Sequence, residues 1–440
     1  MKVDRPVHTL SRRDFLQTST LTAAALATGA STLASRVYAA GSNELKVGLI
    51  GCGGRGTGAV TQVLMATKTP VKLWAMADLF QDQIDKSYTM LSQGADARYD
   101  RVAFGPLAAQ MDVPQARQFV GFDAYRKLLK SGVDMVILAC PPGFRPRHFQ
   151  AAVDADKHVF MEKPVAVDPV GIRMIIAAAQ KAKTKRLSVV AGTQRRHQQH
   201  YIEIMKRIHD GAIGEIRGGQ CYWNSGFGQY PTEKPAGMSD MEFRCRRWYP
   251  HCWLSGDHIV EQHVHNIDIM NWALQGTPLS ILGTGGRETR KAGNIWDHFA
   301  IDFEYAKDVH VMSMCRHNPG CSDRVSERVI GTEGMAYIDS SNGYIRGKRS
   351  YEAPASPNPY VQEHVDWITS IREGLDVNEG VQVAESTLAA ISGRMSAYTG
   401  RAFKWSWVLK QSKLDLRPPE YALIDFPMRP IPVPGQTKLI

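Results

Sequence analysis

The stretch Gly256–Asp268 reads GDHIVEQHVHNID and gathers imidazoles and carboxylates into a short length of chain. A helix turning about 100° per residue puts His258, Glu261, His265 and Asp268 on one face and turns His263 elsewhere. Histidine trades a proton near neutral pH, so His265 is a candidate general base. Glu261 then orients it and favours its protonated form. The same residues could ligate zinc, but the order H-x-x-E-x-x-x-H is not H-E-x-x-H, and no metal is expected. His258 reads as a hydrogen-bonding residue for substrate or for structure.

A base needs an electron acceptor or an electrophile beside it, and the beginning of the chain supplies one. Leu45–Ile50 is an apolar run that ends in Gly51-Cys52-Gly53-Gly54-Arg55-Gly56, followed by a helical stretch from Thr57 to Met65. Strand, G-x-G-x-x-G and helix form the phosphate-binding turn of a dinucleotide domain: Gly51 for the tight turn, Gly53 for approach to a pyrophosphate, Gly56 for helix packing. The next strand, Val71–Ala77, delivers Asp78, where an acid accepts from the adenosine ribose. A carboxylate there repels a 2′-phosphate, which favours NAD over NADP, although Arg55 in the loop argues the other way.

Further βα units continue the pattern. A helix is expected near Gln81–Ser92 and another over Phe122–Ser131, and Val133–Ala139 is a continuously apolar strand of the kind a parallel sheet buries. It stops at Cys140-Pro141-Pro142, and a loop with Arg145, Arg147 and His148 leads into a helix reaching Ala155. The short strand His158–Met161 then delivers Glu162-Lys163-Pro164. Ligands bind beyond the carboxyl ends of such strands, so Lys163 is placed to reach a nicotinamide ring.

The glycine loop, the strand ending in Pro-Pro with His148 beyond it, and Glu162-Lys163-Pro164 together resemble the Gfo/Idh/MocA family, relatives of glucose-fructose oxidoreductase and inositol dehydrogenase. The resemblance runs from about Leu45 to Trp407. It implies an α/β chain: an N-terminal Rossmann domain at 44–183, then an α+β domain at 184–410 with a large, mostly antiparallel open sheet. It implies NAD, held by Gly51, Gly53, Gly54, Arg55, Gly56, Asp78, Pro141, His148, Glu162 and Lys163. It also implies a catalytic set of Lys163, His265 and Glu261, with Glu261 where an Asp is usual. Lys163 would hydrogen-bond the substrate oxygen while a base takes the hydroxyl proton. Arg195, His258 and Trp253 are the expected substrate contacts. Trp253 closes a long segment from Trp223 that is rich in Gly, Pro, Tyr and Trp and carries Arg244, Arg246 and Arg247. Aromatic faces there suit sugar rings, and a packing lid or an oligomer contact is the competing reading.

The expected reaction is oxidation of a secondary hydroxyl on a sugar, cyclitol or glycoside. A glycosidase working by transient oxidation and elimination is the close alternative, and a non-catalytic sugar-binding member is the distant one. A homodimer or homotetramer is expected by analogy with the family.

With 440 residues, 43% hydrophobic and 22% charged, the composition is that of a soluble globular protein. Of the net charge of +10, +3 sits at the N-terminus, where Lys2, Arg5, Arg12, Arg13 and Arg36 oppose only Asp4 and Asp14; the remaining basic residues are scattered among acids with no long like-charge tract, so nucleic acid is not an expected partner. Seven cysteines without a C-x-x-C pair indicate neither a zinc ribbon nor a full disulfide framework. Ser11-Arg12-Arg13-Asp14-Phe15-Leu16, a mildly apolar run and Val37-Tyr38-Ala39 read as a twin-arginine signal over 1–39. That signal predicts a partner in the twin-arginine export machinery, a periplasmic or membrane-anchored destination, and a cofactor inserted before export. The Pro-rich segment 411–440 is expected to pack on a neighbour or wander.

Overall fold

The computed structural model describes residues 44–66, 70–94, 104–226 and 230–440, and the expected signal at 1–39 lies outside them. No helix of the described residues is long and apolar enough to cross a membrane.

The first layer is a parallel sheet of β1 (Leu45–Ile50), β2 (Val71–Asp78), β3 (Gln118–Val120), β4 (Met135–Leu138), β5 (His158–Met161) and β6 (Val189–Ala191), in the order β3-β2-β1-β4-β5-β6. Both faces are covered by helices, which is why β4 is apolar without alternation and β1 is interrupted only by Lys46. The order reverses between β1 and β4, where Ile50 pairs with Leu138, so the crevice for a ligand opens beyond those two strand ends.

Two boundaries differ from the sequence expectation. β6 pairs with β5, so the first sheet extends to Ala191, past the expected boundary at 183. The helix Pro359–Glu373 also returns to this sheet, and its Trp367, Ile368 and Ile371 pack in one cluster with Val60, Val63 and Phe160. Local pattern marks the helix as amphipathic but carries no information on which distant face it covers. Arg145, Arg147 and His148 lie in the first turns of the helix Arg145–Asp154, since Pro146 is tolerated at a helix start.

The second sheet has nine strands: β7 (Ile216–Asn224), β8 (Ser280–Gly286), β9 (His298–Tyr305), β10 (Val309–Arg316), β11 (Arg324–Gly331), β12 (Gly334–Asp339), β13 (Gly343–Gly347), β14 (Tyr351–Glu352) and β15 (Phe403–Lys404). Only β7 and β10 run parallel, and every other pairing is antiparallel. Alternation buries one face of β10 and exposes Met312 and Met314 on the other. The long helix Gly380–Thr399 is buried almost throughout and packs on both β8 and the helix Pro169–Thr184, fastening one layer to the other.

The C-terminal segment is seated on its own chain. Met241 N donates to Ile424 O (3.1 Å), Gly435 N to Thr399 O (3.0 Å) and Ser412 Oγ to Ile440 O (2.5 Å). Its prolines have no N–H to leave unpaired, so an extended arm can lie on the surface at little cost.

Candidate active site

The glycine loop is shaped by contacts that only glycine permits. Gly51 has φ +99°, and a Cβ there would sit 2.5 Å from Cys140 N; at Gly56 a Cβ would meet Gly51 O at 1.9 Å. Gly53 differs, because a Cβ there would meet nothing within 4 Å, so the loop faces open space at the position expected to approach a pyrophosphate. The helix Gly54–Met65 starts beside it with no side-chain cap, leaving amide donors and the positive dipole end for an anion.

A cavity of about 390 Å³ runs from this loop along the strand ends, lined by Gly51, Gly53, Asp78, Cys140, Pro141 and His148 among others. Asp78 accepts from Cys52 N (2.7 Å) and Phe80 N (3.0 Å), and burial raises its carboxyl pKa against the pull of those N–H groups. Arg55 points elsewhere: its Nε is 2.9 Å from Glu162 Oε1, it also bonds Gln62, and its guanidinium lies 5.4 Å from the Tyr360 ring. The loop arginine is thus spent on Glu162 and does not offer a 2′-phosphate site beside Asp78. Glu162, only 5% exposed, is a brace for the loop. His148 is buried against Tyr125 and Phe144, and burial followed by the neighbouring Arg147 and Arg145 pushes its pKa down to about 3. These features fit a dinucleotide: an open glycine cradle, an uncapped helix start and a carboxylate at the ribose position.

The expected single helix over Gly256–Asp268 is two. Gly256 and Asp257 take left-handed φ of +80° and +74°, the helix His258–Glu261 ends at once, and a second helix runs Val264–Leu274. The strained Asp257 is held from three sides: Oδ1 takes His258 N (2.6 Å), and Oδ2 takes Trp296 N (2.8 Å) and Tyr398 OH (2.5 Å).

The break scatters the expected face. His258 turns to Asp257 (3.0 Å) and stacks on His317 at 4.5 Å. Glu261 turns to Lys163, whose Nζ lies 3.0 Å from Glu261 Oε1 and 2.5 Å from its backbone oxygen. His265 lies against Trp223 of β7, with ring centroids 5.9 Å apart. Asp268 pairs with Arg196 (2.7 Å) and accepts from Ser386 (2.7 Å). Glu261 therefore partners Lys163 and not His265. Burial, then the charges of Lys163, Arg195 and His263, hold the His265 pKa well below its ordinary value, which corrects the expectation of a protonated imidazole. Among the described residues no three His, Cys, Asp or Glu side chains gather as a metal-ligand group.

The three expected substrate contacts are engaged inside the protein. Arg195 is 5% exposed and bonds Glu327. His258 is fully enclosed, and Trp253 packs edge-on to Phe144 (5.9 Å) and Phe426 (6.2 Å). Half-buried Trp223 is the aromatic face beside His265, at one end of the aromatic segment the sequence singles out.

One positioning residue was missed. Arg145 is 2% exposed and donates to Leu138 O (2.6 Å), Cys140 O (2.8 Å) and Pro164 O (3.2 Å), tying the end of β4 to the residue after Lys163. Its signal in sequence is only an Arg near two prolines, which does not distinguish a buried brace from a solvated one.

Residues 45–191 match the oxidoreductase family with an NAD-binding Rossmann fold, and residues 201–337 match the Gfo/Idh/MocA C-terminal domain. An inositol 2-dehydrogenase from Acidothermus cellulolyticus is 25% identical over 61% of this chain and 70% of its own length. Further inositol 2-dehydrogenases match over 58% to 74% of their length. In fold, the chain is similar to an aldose-aldose oxidoreductase from Caulobacter crescentus complexed with glycerol (TM-score 0.62, 18% identity, 82% of this chain, 99% of that one). It is equally similar to an oxidoreductase from Agrobacterium radiobacter in complex with NAD+, L-tartaric acid and magnesium (TM-score 0.62, 16% identity, 82% and 98%). An open glycine cradle with an acid at the ribose position, and Lys163 presented beyond β5, thus sit in a chain that belongs to the Gfo/Idh/MocA family of NAD-binding oxidoreductases.

Proposed function

We propose that this protein oxidises a secondary hydroxyl of a sugar, cyclitol or glycoside with NAD, and that it works outside the cytoplasm with a tightly held cofactor. The observation that carries the reading is Lys163, presented beyond β5 with its Nζ held by Glu261, next to a neutral His265. Bound NAD supplies the hydride acceptor. The chain's own residues do the rest. The uncharged His265 imidazole takes the hydroxyl proton, and Lys163 donates a hydrogen bond to the oxygen as negative charge develops on it. Glu261 fixes where the Lys163 amine points. Trp223 offers a flat apolar face beside the base on which the C–H side of a sugar ring can stack.

Export by the twin-arginine route rests on Arg12-Arg13 and the run that follows. Away from the cytoplasmic nicotinamide pool, turnover needs a cofactor that is reduced by one substrate and reoxidised by another without leaving. The aldose-aldose oxidoreductase to which the fold is similar is named for such a pair of substrates. Assembly into a homodimer or homotetramer through the open sheet is supported by Leu282, Met312, Met314 and Ile330, all exposed on its outer face.

The test is to denature purified protein and quantify the released nucleotide before and after incubation with a panel of cyclitols and aldoses. Stoichiometric NAD that becomes NADH with one of them establishes the reading. Absence of bound or bindable NAD overturns it.

A further inference from the structure

The cavity beside Gly53 and Asp78 has a wall that neither the glycine loop nor the parallel sheet supplies. It comes from residues 231–248 of the second domain, whose Phe243, Arg246 and Trp248 line the same space. Around the helix Asp240–Arg246 this wall is fastened at two ends. On the nucleotide side, Arg246 Nη1 makes a fork to both oxygens of Asp82 (3.1 Å each), Nε bonds Glu242 (2.9 Å), and the guanidinium lies 3.7 Å from the centre of the Phe80 ring. Phe80 and Asp82 lie two and four residues after Asp78, so this latch closes at the end of the cleft expected to take the ribose.

On the far side the C-terminal arm backs the wall. Asp240 N donates to Asp425 Oδ1 (2.8 Å), Lys234 Nζ bridges Asp240 (2.8 Å) and Asp425 (3.0 Å), and Arg244 Nη2 donates to Phe426 O (2.8 Å). The arm is itself seated on the first domain, where the Tyr421 ring meets Phe122 at 6.1 Å and Phe144 at 5.8 Å. A dinucleotide lying in the cleft therefore cannot leave while the wall is down, and lifting the wall must open the Arg246–Asp82 fork or pull the arm away.

We infer that residues 231–248 form a retaining wall of the cofactor site, with Arg246 a binding residue at its adenosine end and the arm around Asp425 its brace. This rests on the reading that NAD occupies the cleft, and extends it by naming what holds the cofactor there. Asp82 and Glu242 already answer the charge of Arg246, so the guanidinium suits an uncharged ribose edge and the face of a base better than a 2′-phosphate.

The experiment loads the full chain with NADH, adds excess NAD, and follows loss of bound NADH fluorescence. Arg246→Ala and Asp82→Ala each speed release about fivefold, and the double variant releases no faster than Arg246→Ala alone, as expected if the two act through one contact. Asp425→Ala, which touches no part of the cleft, speeds release about threefold. Melting of the nucleotide-free protein falls only by the small amount that a partly exposed ion pair is worth in Arg246→Ala, and it falls equally in Asp82→Ala, which separates retention from folding. If wild type holds NADH but none of the three variants changes the release rate, the retaining wall is refuted and the cofactor reading survives. If wild type binds no NADH, the cofactor reading falls and this inference falls with it.

Discussion

Lys163 Nζ is held by two oxygens of Glu261, the backbone carbonyl at 2.5 Å and Oε1 at 3.0 Å, across a separation of 98 residues. Lys163 comes from the nucleotide domain and Glu261 from the second domain, so the pair sets the alignment of the two halves of the site. The side chains are only 14% and 13% exposed, which shields the contact from competing water.

Lys163→Ala removes the donor that meets charge developing on the substrate oxygen, and kcat is expected to fall by about a thousandfold. Glu261→Gln keeps a side-chain acceptor and the backbone oxygen, so its loss should be nearer tenfold and fall on kcat more than KM. Steady-state rates of NADH formation check both; equal losses in the two variants would show that Glu261 does more than aim the amine.

Because burial and neighbouring cations keep His265 neutral far below the usual histidine range, the base is already competent under mildly acidic conditions. The pH profile of single-turnover oxidation should show no acid limb near pH 6.5, the ordinary value. It should stay flat as pH falls until that depressed pKa is reached. A limb at the ordinary value that disappears in His265→Asn would contradict the assignment of an enclosed neutral base.

Asp78 governs the choice of dinucleotide. Asp78→Ala removes the acceptor for the ribose hydroxyls and the partner of Cys52 N, so NAD affinity should drop about tenfold or more. NADP should lose much less, because its 2′-phosphate no longer faces a carboxylate. Parallel titrations with the two nucleotides measure the ratio, and an unchanged preference would move discrimination away from this residue.

The parts of this design that were legible in the sequence are those set by local rules. Gly51 and Gly56 stand where a Cβ would collide with backbone, Asp78 ends an apolar strand, and Lys163 follows β5; each can be read within a few residues. What escaped was settled by distant partners. Arg195 looks like a strand-end arginine facing a ligand, yet Glu327, 132 residues away, takes its charge into the interior. Periodicity drew one helix through Gly256–Asp268, while the Asp257 carboxylate gathered three donors that hold a positive-φ residue and delay the helix start to His258, and the chain breaks again at Gln262–His263 before Val264. The arm at 411–440 carries no periodic pattern, so its seat on Phe122 and Phe144 could not be inferred from it.

A last consequence concerns His197, which follows the end of β6. Burial alone would depress its pKa, but hydrogen bonds to Asp366 (2.6 Å) and Glu379 (3.2 Å), reinforced by the charges of Glu379 and Glu363, outweigh it and lift the value to about 10. A folded pKa above the unfolded 6.5 means that this stabilisation is complete below pH 6.5 and drains away as pH rises through about 10. Glu379 also accepts from Ala191 N (2.8 Å), so the pair fastens the edge strand of the nucleotide domain to the segment leading into the helix Gly380–Thr399. His197→Gln should therefore cost on the order of 2 kcal/mol at neutral pH, where Asp366 and Glu379 lose their shared cation. Melting curves of wild type and variant taken from neutral to alkaline pH should converge as His197 deprotonates. A melting difference that stays constant over that range would mean the imidazole carries no charge in the folded protein.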